Sequence, residues 1–86
     1  PMLELLAGLY AKLGEFEAAI DCFEQCLRLE PRSASALVGL SECYLAMGHR
    51  DSAIMGFRRA LQLDPHCQQA ENRLAELQDV ATPPAG

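Results

Sequence analysis

Four cysteines and two histidines are the most reactive side chains in this 86-residue chain, and their spacing decides first whether it can be an enzyme. Cys22 and Cys26 stand four residues apart, while Cys43 and Cys67 are distant from them and from each other. A structural zinc site wants compact pairs of Cys or His ligands brought together from two elements. One such pair with His49 and His66 scattered elsewhere does not supply that set, so no metal is expected. A thiolate nucleophile needs a base beside it and a third group to orient the base. Cys67 follows His66, and Cys43 precedes His49 by six residues. Neither pair has an orienting carboxylate at a defined spacing or a candidate oxyanion site. Gly14, Gly48 and Gly56 are isolated, so no glycine-rich loop can cradle a phosphate. The expectation is therefore a protein that is not an enzyme and uses no cofactor. Unpaired, reduced thiols point to an intracellular, cytoplasmic compartment, with Cys26 as a small apolar residue in a packed slot.

Charge and hydropathy narrow the partners. Twelve acidic and seven basic residues leave a net charge of −5, and Arg58 and Arg59 form the only adjacent basic pair. A nucleic-acid surface would carry a basic stripe, so nucleic acid is not expected. No apolar run approaches the ~20 residues that span a bilayer, and no signal peptide precedes the first helical pattern. Pro1 opens almost directly into that pattern, which reads as a cut within a longer protein.

What must position these residues is a chain that repeats itself. A shift of 34 residues pairs Leu3 with Leu37, Leu6 with Leu40, Tyr10 with Tyr44 and Gly14 with Gly48. The same shift pairs Ala19 with Ala53, Ile20 with Ile54, Phe23 with Phe57, Leu27 with Leu61, Leu29 with Leu63 and Pro31 with Pro65. Roughly two coincidences are expected by chance, so the period marks stacked structural units. Apolar spacing of three and four residues predicts helices over 2–13, 15–29, 34–47, 50–63 and 67–80. On the first, Leu3, Leu6, Tyr10 and Leu13 are expected to face inward. Gly14 and Gly48 close the odd helices in a left-handed conformation. Pro31 and Pro65 stop the even ones, and Ser33 can cap the third. Residues 67–80 place Leu74, Leu77 and Val80 on one side and polar residues on the others, as a solvating end helix requires. Thr82-Pro83-Pro84-Ala85-Gly86 reads as part of a flexible tail or linker over 81–86.

The residues that survive the shift resemble the tetratricopeptide repeat family. Leu6, Tyr10, Gly14, Phe16, Ala19, Phe23 and Pro31 carry its pattern in the first unit. Leu40, Tyr44, Gly48, Ala53, Phe57, Ala60 and Pro65 carry it in the second. The chain departs from the pattern at Leu3 and Leu37, where the family often has Trp. Ala7 and Ser41 replace a Gly, Cys26 replaces an Ala and Arg50 replaces an aromatic. The resemblance implies an all-α fold of antiparallel helix-turn-helix repeats stacked as a right-handed α-solenoid. One repeat domain is expected over 1–80, with repeats at about 1–33 and 34–67 and a capping helix at about 67–80.

In this family the first helix of each pair lines a concave groove that binds a peptide or helix. Carried onto this chain, the groove would be lined by Glu4, Gly8 and Lys12, then Ser35, Val38, Gly39, Glu42 and Leu45, then Gln69, Asn72, Arg73 and Glu76. A branch of the family grips the C-terminal carboxylate of heat-shock chaperones with a Lys/Asn/Arg clamp. The matching places hold Glu4, Gly8, Gly39, Gln69 and Arg73, of which only Arg73 has the required chemistry. A chaperone clamp is therefore not expected. Gly8 and Gly39 should leave room for a bulky segment near the backbone, beside apolar Val38 and Leu45.

Met2, Leu5 and Leu9 make the first helix apolar on a second side, as a contact surface would be. An upstream repeat or a second copy could cover it. Acidic Glu15, Glu17, Asp21 and Glu24 against basic Arg50, Arg58 and Arg59 would favour head-to-tail self-association. The function that follows is a protein–protein interaction module, a scaffold or adaptor. The alternative is a non-catalytic regulatory or substrate-positioning arm of a larger enzyme.

Overall fold

The computed structural model describes residues 2–81, with side chains over 2–77. Five helices follow in chain order: α1 (Met2–Lys12), α2 (Phe16–Leu29), α3 (Ala34–Ala46), α4 (Arg50–Leu63) and α5 (Gln68–Ala81). Each end lies within one residue of its expected position. The expected tail over 82–86 and the side chain of Val80 lie outside the described residues.

The turns after α1 and α3 are built alike. Gly14 and Gly48 take φ of 82° and 86°, and no other described residue has positive φ. The Glu15 amide donates to the Tyr10 carbonyl at 2.8 Å, and the His49 amide donates to the Tyr44 carbonyl at the same distance. Together with Gly14 N–H on Ala11 and Gly48 N–H on Leu45, this is the double bond of a Schellman closure. The even helices end differently. Glu30 and Asp64 donate their amides to the Cys26 and Ala60 carbonyls, and the following prolines prevent continuation. Ser33 caps α3, its hydroxyl accepting from the Ala36 amide at 3.2 Å.

Each helix packs on its neighbours in sequence, α1 also touches α3, and α5 reaches α3 through Arg73 and Glu42. One apolar cluster joins Ala7, Ala19, Cys22, Phe23, Cys26, Ala36 and Cys43; the other joins Leu37, Val38, Ala53, Phe57, Ala60, Ala70 and Leu74. Ala19 on α2 and Ala53 on α4 are both fully buried. The second hairpin packs its helices in its own way. Ser41 is fully buried with its hydroxyl donating to the Leu37 carbonyl at 2.8 Å, and a Cβ on Gly56 would collide with that hydroxyl. The polar side chain on α3 is accommodated by the missing one on α4.

Two expectations for α1 change. Its buried side is formed by Leu3, Ala7, Tyr10 and Ala11. Leu6 is 39% exposed and Leu13 is 76% exposed. Leu13 lies beyond the last helical turn. Leu6 lacks what its counterpart Leu40 has, a preceding helix laid across it.

Candidate functional site

Two of the expected groove residues are not available to a ligand. Val38 is only 5% exposed because it belongs to the second apolar cluster, packed with residues of α4 and α5. Gly39 faces the Phe23 ring, which occupies the space a Cβ would need. The gap at Gly39 therefore admits an aromatic from α2 and leaves no cleft for a partner. Leu45 is half-buried and also packs against the second cluster. Gly8 has open space where a side chain would be.

What remains along the odd helices is polar, and the structure connects it across elements. Ser35 on α3 donates to the Glu4 carboxylate on α1 at 3.0 Å. Glu42 on α3 receives Arg73 Nε from α5 at 2.8 Å and Gln69 Nε2 at 3.5 Å. Arg73 also meets Glu76 at 3.2 Å. Hydrogen bonding to Glu42 and its charge hold the Arg73 guanidinium above its ordinary value. Two hollows lie on this face. Glu42, Gln69, Asn72, Arg73 and Glu76 line one of about 310 Å³. Glu4, Leu5, Gly8, Leu9 and Lys12 line another of about 350 Å³.

A third cavity escaped the sequence reading. It measures about 220 Å³ and lies between Met2, Leu3 and Glu4 on α1, Cys26, Leu29 and Glu30 at the end of α2, and Ser33. The signal was present in the repeat: Glu4 stands where the second unit has Val38. A carboxylate turned toward Ser35 cannot fill the apolar slot that Val38 fills.

Cys43 is 1% exposed, and burial pushes its thiol up, the opposite of what a nucleophile needs. His49 sits edge-on to the Tyr44 ring, with centroids 6.2 Å apart, in the turn after α3. Among the described residues no three His, Cys, Asp or Glu side chains converge on a possible metal position. No described helix is long and apolar enough to cross a membrane.

The tetratricopeptide repeat family matches residues 2–66 of this sequence. The chain belongs to the tetratricopeptide repeat family. A solved structure with the same fold is the first TPR of Spaghetti (RPAP3) bound to the HSP90 peptide SRMEEVD. It aligns with a TM-score of 0.56 over 94% of this chain and 92% of that one, at 18% identity. No curated protein matches the chain. Tetratricopeptide repeats form a protein-interaction fold, and this chain is an all-α member of it.

Proposed function

We propose that this domain binds a segment of a partner protein along the face formed by α1, α3 and α5, acting as a scaffold or adaptor. The observation that carries the reading is the polar side chains bridged across the odd helices in two sets, Glu4 with Ser35 and Glu42 with Arg73 and Glu76. Three carboxylates in these sets, Glu4, Glu42 and Glu76, face two cations, Lys12 and Arg73. Arg73 is already engaged by two of the carboxylates, so the surface offers an acidic excess with hydrogen-bond acceptors. A segment carrying Lys or Arg fits that chemistry, with a larger side chain lying over the open backbone at Gly8.

An acidic C-terminal peptide suits it poorly. The clamp positions hold Glu4, Gly8, Gly39, Gln69 and Arg73, and freeing Arg73 for a carboxylate would break its bonds to Glu42 and Glu76. Titration of the labelled domain with a basic, mixed-polarity peptide is expected to move the amides of Gly8, Ser35, Glu42, Gln69 and Asn72. The peptide SRMEEVD is expected to leave them in place. Glu42→Lys should weaken the basic peptide by roughly tenfold, the scale of one or two kcal/mol for a charge contact. Shifts confined to α2 and α4, or tighter binding of SRMEEVD than of the basic peptide, would sink the proposal.

A further inference from the structure

The cavity between the start of α1, the end of α2 and the turn before α3 is a piece of core left open. The 34-residue period shows what closes the same place in the other unit. Glu4, Leu29 and Ser33 line the cavity, and their counterparts are Val38, Leu63 and Cys67. All three counterparts pack into the second apolar cluster. In the first unit Leu29 is left 74% exposed, while Leu63 is half-buried. Glu4 turns its carboxylate to Ser35, and about 220 Å³ stays unfilled. The walls come from both helices of the hairpin and the turn that follows, and none of them is Leu5, Leu6 or Leu9.

The lining selects an occupant by its chemistry. Met2, Leu3, Cys26 and Leu29 make the body of the cavity apolar, and its charged walls are two carboxylates, Glu4 and Glu30. No described cation pairs with either one. Ser35 engages Oε2 of Glu4, which leaves Oε1 to accept from a ligand. Burial and then the Glu4 charge push the Cys26 thiol up, so the field of that carboxylate reaches the Cys26 wall. An acidic group would be repelled there, and a purely apolar one would gain nothing from the two charges. An unbranched stem with a cationic end suits both parts, as when lysine lays its methylenes on apolar surface and keeps its ammonium at a polar edge. Glu4 also borders the hollow at Gly8, so a segment lying over Gly8 passes beside the cavity.

We propose that this cavity receives a primary alkylammonium group, the lysine side chain of the segment that lies along α1. Its methylenes pack on Leu3, Cys26 and Leu29, and its ammonium meets the carboxylates of Glu4 and Glu30. The assignment rests on the groove reading and names the anchor of that groove. The second unit cannot offer the same site, because Val38 already fills the place. A single lysine seat of this kind sets the register of the bound segment on the domain.

Titration of the methyl-labelled domain with n-butylammonium, the lysine side chain without its backbone, tests this. Saturable shifts should appear at the methyls of Met2, Leu3 and Leu29. n-Butanol should bind roughly tenfold more weakly, the scale of a charge contact, and butyrate should leave these methyls in place. Glu4→Gln and Glu30→Gln keep the cavity and should each weaken n-butylammonium toward n-butanol. Glu4→Val, the second unit's own solution, should abolish the shifts with unchanged helical circular dichroism. Equal affinity for n-butanol, no saturable shift, or binding that survives Glu4→Val overturns the proposal. A basic peptide should reproduce the shifts at Leu3 and Leu29 and lose them when its lysine is replaced by norleucine. If that peptide moves Gly8, Gln69 and Asn72 while n-butylammonium leaves the cavity untouched, the groove stands and the lysine anchor falls. If n-butylammonium binds and the peptide moves nothing, the groove falls, and with it the peptide as the source of the ammonium.

Discussion

Gly39 illustrates how a single residue's role turns on its neighbour. Its missing side chain is required by the Phe23 ring on the next helix, so Gly39→Ala should force that ring aside and cost ~1–3 kcal/mol by overpacking. A thermal melt of the variant that matches the parent would show that the ring is free to move. Gly56 makes the same kind of contact with the Ser41 hydroxyl. Gly56→Ala should be destabilising alone, while adding Ser41→Ala should recover part of the loss, a non-additivity expected of touching residues. Strictly additive effects in that cycle would contradict the contact. Cys43 adds a pH dependence. Its thiol is raised by burial above the ordinary value of 9.0, so the unfolded chain loses this proton at lower pH than the folded one. Its contribution is fully present below pH 9.0 and falls as pH rises through the folded value. Alkaline loss of stability should therefore start later in Cys43→Ala, as urea titrations above pH 9.0 can determine.

Individual helices depend on how their ends are satisfied. Ser33 accepts the Ala36 amide, and Ser33→Ala should cost ~0.5–2 kcal/mol through the opening turn of α3. No loss on chemical denaturation would mean that water replaces the cap. At the other end of the molecule, Arg50 reaches from the start of α4 to the Leu77 carbonyl in α5. A cation near a helix C-terminus completes carbonyls that have no intrahelical partner. Arg50→Ala should loosen α5 beyond Leu77, visible as faster amide exchange there than in α4. Equal exchange in parent and variant would remove Arg50 from the end of that helix. The family often has an aromatic at this position, so this tether is a local solution of the present chain.

The whole domain has little stability to spare, because 86 residues bury only a modest fraction of their surface. Phe57 is fully buried at the centre of the second cluster, which draws on α3, α4 and α5. Phe57→Ala should cost ~3–5 kcal/mol, a large share of the 5–15 kcal/mol typical of a native domain. The loss should appear as one cooperative transition rather than as separate melting of one hairpin. A two-step melt would mean that the two clusters fold independently despite α2 and α3 lying against each other.

The helices, their stops and the repeat were legible in the sequence because they depend on local rules. A glycine at positive φ, a proline after a carbonyl-capped end, and apolar residues every three or four positions act within a few residues of themselves. The groove was legible only in outline. The resemblance assigned Glu4, Ser35, Glu42, Gln69 and Arg73 to the odd helices, yet their bonds cross between helices 27 to 31 residues apart in the chain. Val38 and Gly39 were misplaced because the period gives a position on a helix, while burial depends on which side chain arrives from the neighbouring one. Phe23, Ser41 and the α4 and α5 surfaces made that choice. Close packing lets only one side chain occupy a given volume, and that exclusion operates in three dimensions rather than along the chain.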